Sequence, residues 1–428
     1  MGHIVGVGRG QGALFPLCLE DLIPADHACR VIDAFVGSLD LSELGFVRSQ
    51  AANTGRPGYA PGDLLRLYLY GYLQQVRSSR RLETECRRNI EVMWLLGRLV
   101  PDHKVIAEFR RVHREAVTAA GVALIRWARA QAMLAGGWVA IDGSKFRAVS
   151  STRGGVAREA MRRYLAGLDE ADEVIAAPGH PEPEARIMRT ADGGKAAAYN
   201  VQTGVDAATG LIVVHEVTTE ATDNRSLLPM AQMARMAVDT KELHVAADAG
   251  YSNGEQARAC EDEGIVAHVP ANRAINTQGD GTLYERQRFT YDKVTDSMTC
   301  PAGERLLRKQ AMRDKRLVLY AASENTCGGC AMKSACTTAK RRIVSRHWDE
   351  EPLQRMHDRA TPDAMRLRRC TVERPFAELK ERLFGRRFLL RGLKGARCEM
   401  ALAVMAFNLK RLKSLLGAAT LIEKWHPA

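Results

Sequence analysis

The feature that most constrains the fold of this chain is a change of hydrophobic period at Gly137. In residues 13–130 the apolar residues recur every three to four positions, which indicates amphipathic helices. Beyond Gly137, segments such as WVAIDGSKFRAVSS alternate with period two or run apolar over a short length, which indicates strands. We therefore expect an all-helical part followed by an α/β part. A chain of 428 residues allows more than one domain, at about 150 residues each.

Three helices are predicted within the first part. PGDLLRLYLYGYLQQVRSS begins a helix at its first proline, RRLETECRRNIEVMWLLGRLV forms a second helix, and HKVIAEFRRVHREA forms a third that Asp102 caps. The inward-facing residues of the third helix are expected to be Val105, Ile106, Phe109 and Val112. The last two helices resemble a helix-turn-helix DNA reader, and a helical bundle with a solvated basic face fits the same periodicity. The basic residues of the third helix and its end are Lys104, Arg110, Arg111, His113 and Arg114.

Five strands are predicted in the second part. They are WVAIDGSKFRAVSS, two strands within YNVQTGVDAATGLIVVHEVTTE, LHVAADAGYS and GIVAHVP. The first three can pair as a meander and the others are separated by helices, so a mixed five-stranded sheet is expected. The intervening helix, NRSLLPMAQMARMAV, is expected to be capped by Asp223 or Asn224.

These patterns predict a four-part layout. Residues 1–130 form a helical, DNA-binding module, and residues 131–272 form the first part of the α/β domain, with a surface insertion at about 151–195. Residues 273–365, rich in short strands and carrying clustered cysteines, are a second insertion. Residues 366–428 return as helices that complete the α/β domain.

Two aspartates occupy positions where a charge is costly. Asp142 interrupts the apolar strand WVAIDGSKF, and Asp248 follows the strand LHVAA. A buried carboxylate requires a basic partner, backbone N–H donors or a bound cation, and the sequence leaves all three open. Other acidic residues have simpler roles: Asp206 begins a turn and Asp192 precedes two glycines.

Four of the ten cysteines lie close together in the second insertion: Cys300, Cys327, Cys330 and Cys336. The spacing Cys327-Gly-Gly-Cys330 is typical of a zinc knuckle, because the glycines allow the close turn. A structural Zn²⁺ site is therefore predicted, with four free or redox-active thiols as the alternative. The other six cysteines are predicted to be small apolar core residues.

The charge balance favours a polyanionic partner. The formal net charge is +12, and Lys and Arg that neutralise phosphates release counterions. The N-terminal residues lack the pattern of a secretory signal, and no apolar run reaches 18 residues. A cytoplasmic protein without a membrane partner or a disulfide framework is expected.

Several blocks of the sequence resemble the DDE transposases of bacterial insertion sequences. They are VAIDGSKFRA, YNVQTGVDAATGLIV, VAADAGYS and TVERPFAELKERLFGRRFLLRGLKGARCEMALAVMAFNLKRL. The N-terminal helices resemble the module that precedes such catalytic domains. The resemblance implies a ribonuclease H-like core with catalytic acids Asp142, Asp248 and Glu373, of which Glu378 and Glu381 are rivals for the third. It also implies two Mg²⁺ or Mn²⁺ ions as cofactors.

The last block of the family carries a Tyr, Arg, Glu, Lys pattern. Counting from Glu373 gives Arg369 and Lys380 at the expected places, and Arg366 where tyrosine is expected. Pro375 disfavours a regular helix here and is expected in a first turn or at a kink.

The function that the resemblance implies is DNA cleavage and strand transfer at the ends of an insertion sequence. The partners would be double-stranded DNA, both terminal inverted repeats and target DNA, and other copies of the chain. Two alternatives remain at this point: a catalytically inactive DNA-binding regulator, and a metal-dependent nuclease without strand transfer.

Overall fold

A computed structural model describes residues 18–49, 58–134, 136–149, 174–175, 182–190, 193–272, 283–314 and 316–425. The protein is of mixed α/β type with helices at its N-terminal side. Two compact units are distinguished among these residues. The first unit holds the described residues up to Gly136, those from Gly143 to Ala221, and those from Thr371 onward. The second unit holds Gly137–Asp142 and the described residues of Thr222–Cys370.

The α-helices are α1 Ala28–Gly37, α2 Pro61–Leu73, α3 Ser79–Arg88, α4 Ile90–Leu95, α5 His103–Val112, α6 Arg114–Ala130, α7 Leu227–Val238, α8 Gly254–Asp262, α9 Glu324–Gly328, α10 Lys333–Cys336, α11 Glu350–Arg359, α12 Pro362–Ala377, α13 Leu393–Leu416 and α14 Ala418–Trp425. Short 3₁₀ turns occur at Leu19–Leu22, Ala249–Tyr251 and Arg286–Arg288, and a π-helical turn at Glu378–Leu383.

The strands are β1 Trp138–Arg147, β2 Val174–Ile175, β3 Arg186–Arg189, β4 Lys195–Asp206, β5 Ile212–Thr218, β6 Leu243–Ala246, β7 Ile265–His268, β8 Thr290–Asp292, β9 Ser297–Thr299, β10 Arg305–Met312, β11 Leu317–Ala321 and β12 Ile343–His347.

Two of the predicted N-terminal helices are confirmed at their starts. Helix α2 begins with Pro61, whose missing N–H is not needed in a first turn. The Asp102 carboxylate caps α5 by accepting the backbone N–H groups of Lys104 and Val105 at 2.8 and 3.0 Å.

The second predicted helix was wrong in extent, because the chain breaks it at Asn89. This residue is extended, and its side chain caps α4 by accepting the N–H of Glu91 at 3.0 Å. The inward face of α5 also differs from the prediction. Ile106 and Phe109 are buried, whereas Val112 is 41% exposed.

Helix α13 lies at the centre of the first unit. It packs against α2, α6 and β5, and most of its residues are buried. Its Asn408 side chain bonds to both the N–H and the carbonyl of Ile212 in β5, each at 2.9 Å. A helix that is apolar on nearly every side is stable only when other elements cover it completely.

A buried ion pair links α13 to the N-terminal helices. Glu399 of α13 is completely buried and lies 3.7 Å from Nη1 of Arg110 in α5. Its carboxylate also accepts the backbone N–H of Leu389 at 2.9 Å, and the Arg110 guanidinium lies over the Tyr68 ring. The helical-bundle interpretation of these helices predicted Arg110 on a solvated basic face. That prediction was wrong, because its charge pairs with a carboxylate far along the sequence.

Within the first unit, β4 pairs antiparallel with β3 through residues 195–198 and with β5 through residues 200–205. The turn between β4 and β5 begins at Asp206 as predicted, and its carboxylate accepts the N–H of Thr209 at 2.8 Å. The Ala148 N–H, just beyond β1, bonds to the Ala197 carbonyl of β4. All five predicted strands are present, and β2 and β3 are two further strands that were not predicted. Strand β3 comes from the segment assigned to a surface insertion, of which residues 150–173, 176–181 and 191–192 lie outside the described residues.

The second unit holds two sheets. The start of β1 pairs parallel with β6, and β6 pairs parallel with β7. A separate antiparallel sheet has the strand order β12-β11-β10-β9-β8. Its core includes Phe289, Met298, Leu306 and Tyr320. Helix α7 follows Ser226, which occupies the cap position predicted for Asp223 or Asn224. No helix in the described part of the chain is long and apolar enough to cross a membrane.

The buried pair gives a stability prediction. Arg110→Met leaves the Glu399 carboxylate buried without its cation, so we expect the free energy of unfolding to fall by about 3–5 kcal/mol. Urea unfolding followed by circular dichroism measures the loss. The double variant Arg110→Met, Glu399→Met removes both charges and is expected to recover most of it. An Arg110→Met protein within about 0.5 kcal/mol of wild type would show that the pair does not matter.

Candidate functional site

The two predicted aspartates lie next to each other in the second unit. Ala140 of β1 pairs with Ala246 of β6 in the parallel sheet. Asp142 and Asp248 each come two residues later, so both carboxylates stand at the same edge. The side chains are 21% and 48% exposed, which leaves them open to a cation from solution. The sheet register explains why residues 106 positions apart meet.

A single arginine contacts both carboxylates. Nη2 of Arg368, in α12, lies 2.6 Å from Oδ1 of Asp142 and 3.4 Å from Oδ2 of Asp248. The Asp248 carboxylate also accepts the backbone N–H of Gly250 at 2.8 Å, which fixes its orientation. Sequence reasoning missed Arg368, because it is one of several arginines in a basic segment.

A third aspartate lies close to this pair. A Cβ atom at Gly250 would stand 3.0 Å from Oδ1 of Asp248 and 4.0 Å from Oδ2 of Asp223. Burial, followed by the negative charges of Asp223, Asp142 and Asp248, raises the pKa of the Tyr251 hydroxyl well above its usual range. Asp223 was interpreted from the sequence as a helix cap. That interpretation was wrong: Asp223 belongs to the acidic cluster of the second unit.

The helix that carries the third predicted acid is irregular at its end. Helix α12 contains Pro375 and is followed by the π-helical turn. The Phe384 N–H bonds to the Leu379 carbonyl five residues earlier, at 2.9 Å. Such π-turns are frequent at functional sites. Glu373 is exposed on α12 and forms no ion pair within the described chain, and Arg369 is exposed on the same helix.

Contacts within the first unit place the π-helical turn beside the second half of β1. Nζ of Lys380 donates to the Ser144 hydroxyl at 2.9 Å. Past the turn, the Phe388 N–H bonds to the Arg147 carbonyl at 3.0 Å. The two rival acids are already paired with basic side chains. Glu378 binds Lys410, and Glu381 binds Arg386.

Two family models match the chain. Residues 17–112 match a transposase domain (DUF772), and residues 299–413 match a transposase DDE domain. The chain therefore carries two transposase domains, the second of them of the DDE type. It is a DNA transposase, and such enzymes depend on divalent metal ions in general.

Comparisons with other proteins add little to this assignment. No curated protein matches the sequence. A similar solved structure is the cryo-EM structure of the piggyBac transposase synaptic complex with hairpin DNA. The two sequences are 9% identical, the match covers 94% of this chain and 79% of that one, and the TM-score is 0.35.

The four clustered cysteines of the transposase surround one cavity. Its volume is about 30 Å³, more than the 10–15 Å³ or so that one water needs, and its lining includes all four thiols. The Cys327 sulfur accepts the backbone N–H of Arg342 at 3.5 Å. Burial, with smaller contributions from the other three thiols, raises the pKa of Cys336. The other two cysteines that line the cavity are Cys300 and Cys330.

In the described part of the transposase, three potential metal ligands lie within 4.8 Å of each other only at His27, Cys29 and Glu91. The four clustered sulfurs are therefore more widely spaced than a tetrahedral Zn²⁺ would hold them. The His27 group has a structural explanation. Nδ1 of His27 accepts the Cys29 N–H at the start of α1, so its Nε2 carries the proton and faces Glu91 at 3.5 Å. Burial raises the pKa of the Cys29 thiol to about 12, which disfavours metal binding.

The buried and the exposed cysteines should differ in their rates of alkylation. The pKa values of Cys29, Cys260 and Cys398 are raised to about 12 by burial, so only about one thiol in 10⁴ is ionised at pH 8. Cys18 and Cys370 are exposed. We expect iodoacetamide at pH 8 to label the two exposed residues first and the three buried ones only after unfolding, as measured by peptide mass spectrometry. Equal labelling rates for Cys29 and Cys370 would contradict this arrangement.

Proposed function

We propose that Asp142, Asp248 and Glu373 are the catalytic carboxylates of this transposase, and that they hold two Mg²⁺ or Mn²⁺ ions in a ribonuclease H-like core. The observation that carries the proposal is the position of Asp142 and Asp248 at one edge of two adjacent parallel strands. Glu373 is the third member because its block resembles the family's last motif and its carboxylate forms no ion pair in the described chain.

The donor set fits divalent cations. Mg²⁺ prefers oxygen ligands and keeps several waters, so a few carboxylates suffice. The guanidinium between Asp142 and Asp248 occupies a place where positive charge is favoured, and so acts as a stand-in cation. The chemistry that bound divalent ions supply is activation of the attacking water or 3′-hydroxyl and stabilisation of the leaving oxygen.

We assign two basic residues, Lys380 and Arg369, to contacts with DNA phosphates. Lys380 stands beside β1 through Ser144, two residues after Asp142 in sequence, and we assign it to orienting the scissile phosphate. Arg369 is exposed and is assigned to a neighbouring phosphate. Both residues act by holding the DNA backbone in place, which carries no sequence information.

The proposed substrates are the terminal inverted repeats of an insertion sequence and a double-stranded target. Cleavage at the element ends frees a 3′-hydroxyl, which then attacks the target phosphodiester. We assign binding of the repeats to the helical module of residues 1–130, and propose that copies of the chain assemble on the DNA. The catalytic domain comprises residues 131–272 and 366–428, with insertions at about 151–195 and at 273–365. The net charge of +12 supports a DNA partner.

We also propose that Cys300, Cys327, Cys330 and Cys336 bind one structural Zn²⁺. The shared cavity and the N–H that points at the Cys327 sulfur support this site. The thiols would approach each other on binding, to sulfur–metal distances of about 2.3 Å.

The carboxylate assignment predicts the effect of three isosteric changes. Asp142→Asn, Asp248→Asn and Glu373→Gln should each lower cleavage of element-end DNA at least about 100-fold and leave DNA binding largely intact. The reason is that each change removes a metal ligand and no phosphate contact. Cleavage with Mg²⁺ on labelled DNA and a gel-shift titration measure the two quantities separately.

Glu378→Gln is the matched control, because Glu378 already pairs with Lys410. It should cleave at close to the wild-type rate. Asp223 is the rival candidate for the third ligand, and Asp223→Asn tests it. An inactive Asp223→Asn together with an active Glu373→Gln would make Asp223 the third carboxylate. A protein that binds element ends without cleaving them would be a regulator, and cleavage without joined products would indicate a nuclease.

The cysteine site predicts about one Zn²⁺ per chain by elemental analysis of protein prepared without chelators. Cys327→Ser should lose the metal and destabilise the insertion, because a structural site contributes folding energy, while cleavage persists below the new melting temperature. Cys370→Ser, which changes an exposed thiol outside the cluster, should keep the zinc. Wild-type protein without zinc would refute the site.

A further inference from the structure

Arg368 is the basic residue that faces inward on α12. Ala364, Val372 and Pro375 lie on the same side of the helix and are buried. The Arg368 side chain is only 17% exposed, whereas Arg366 and Arg369 beside it are exposed. An arginine on the buried stripe of a helix needs a specific partner, because burying an unpaired charge is costly. Its partners are the two aspartates of the second unit.

The contact uses the carboxylates that the proposed metal site needs. One nitrogen, Nη2, reaches Oδ1 of Asp142 and Oδ2 of Asp248, so a single positive charge stands between two negative ones. Without a cation, two carboxylates this close repel each other and disfavour the folded state. The guanidinium and a divalent ion would therefore compete for the same oxygens.

The arginine is held there by charge more than by a complete set of hydrogen bonds. Its Nε is buried and has no hydrogen-bond acceptor among the described residues. A guanidinium can donate five hydrogen bonds, and leaving a buried donor unused lowers the stability of the contact. The unused Nε donor lowers the stability of the Arg368 contact, which favours its replacement by another cation.

We propose that Arg368 is a positioning residue that acts as the exchangeable counter-cation of the Asp142–Asp248 pair. It keeps the two carboxylates together in metal-free protein and withdraws when divalent ions bind. The proposal rests on the assignment of these aspartates as metal ligands. It adds that part of the free energy of metal binding is used to displace the Arg368 guanidinium. The opposite role, in which Arg368 orients the carboxylates for the metal, predicts the opposite sign for its removal.

The test is Mn²⁺ affinity in the absence of DNA, measured by electron paramagnetic resonance of free Mn²⁺ at constant ionic strength. Arg368→Gln removes the competing charge and should bind Mn²⁺ about tenfold more tightly than wild type, since a charged hydrogen bond no longer has to be broken. Its melting temperature should be lower without metal and should rise more steeply with added Mn²⁺. Arg366→Gln removes an exposed charge two residues away and should change the affinity less than about twofold.

Each outcome separates the possibilities. Unchanged or weaker Mn²⁺ binding by Arg368→Gln, with Asp142→Asn and Asp248→Asn both losing Mn²⁺, would overturn the role of Arg368 and retain the metal site. Full Mn²⁺ binding by both asparagine variants would refute the metal site itself. If Arg368→Gln does not fold, Arg368→Lys keeps the charge with a shorter reach. Its Mn²⁺ affinity should then exceed that of wild type, and an affinity at or below wild type would overturn the proposal.

Discussion

The first unit depends on a charge buried where no water can reach it. Glu399 lies on the central helix α13 and is tolerated because Arg110 of α5 and the Leu389 N–H both face it. This arrangement ties α13 to the N-terminal helices, and the two parts match different family models. The residues that match the two models therefore share one hydrophobic core over part of their length. A helix as buried as α13 requires that cover, and Arg110 is the α5 side chain that pairs with Glu399.

In the second unit the governing constraint is repulsion between carboxylates. Parallel pairing of β1 with β6 brings Asp142 and Asp248 to one edge, and Asp223 approaches Asp248 near Gly250. Concentrated negative charge is unfavourable for folding and suitable for binding cations. The molecule meets the folding requirement with Arg368. In the proposed metal site the same repulsion would favour the binding of divalent ions in place of the arginine, so folding stability and metal binding would depend on the same pair of side chains.

Local sequence patterns predicted many of the helices and strands correctly. The residues whose positions were predicted wrongly or missed are those placed by contacts between distant parts of the sequence. The alternation in WVAIDGSKF and the cap at Asp102 are local signals, and both β1 and α5 begin close to where they were expected. Arg110 is buried because it pairs with Glu399, which is 289 positions away. The periodicity of its own helix could therefore not predict that burial. Asp223 resembled a helix cap because Asp before a helix usually is one. Arg368 carried one available signal: it falls on the same helical stripe as Ala364 and Val372.

The basic segment at residues 366–397 shows why a count of charges overstates the surface available to DNA. It holds eleven Arg or Lys and three acidic residues. Part of that positive charge is already paired within the protein: Arg368 with two aspartates, Arg397 with Glu216, and Arg387 with the Val149 carbonyl. The exposed remainder includes Arg366, Arg369 and Arg374. A phosphate backbone close to α12 would therefore meet only the exposed arginines, while the partly buried Arg368 contacts the carboxylates of Asp142 and Asp248.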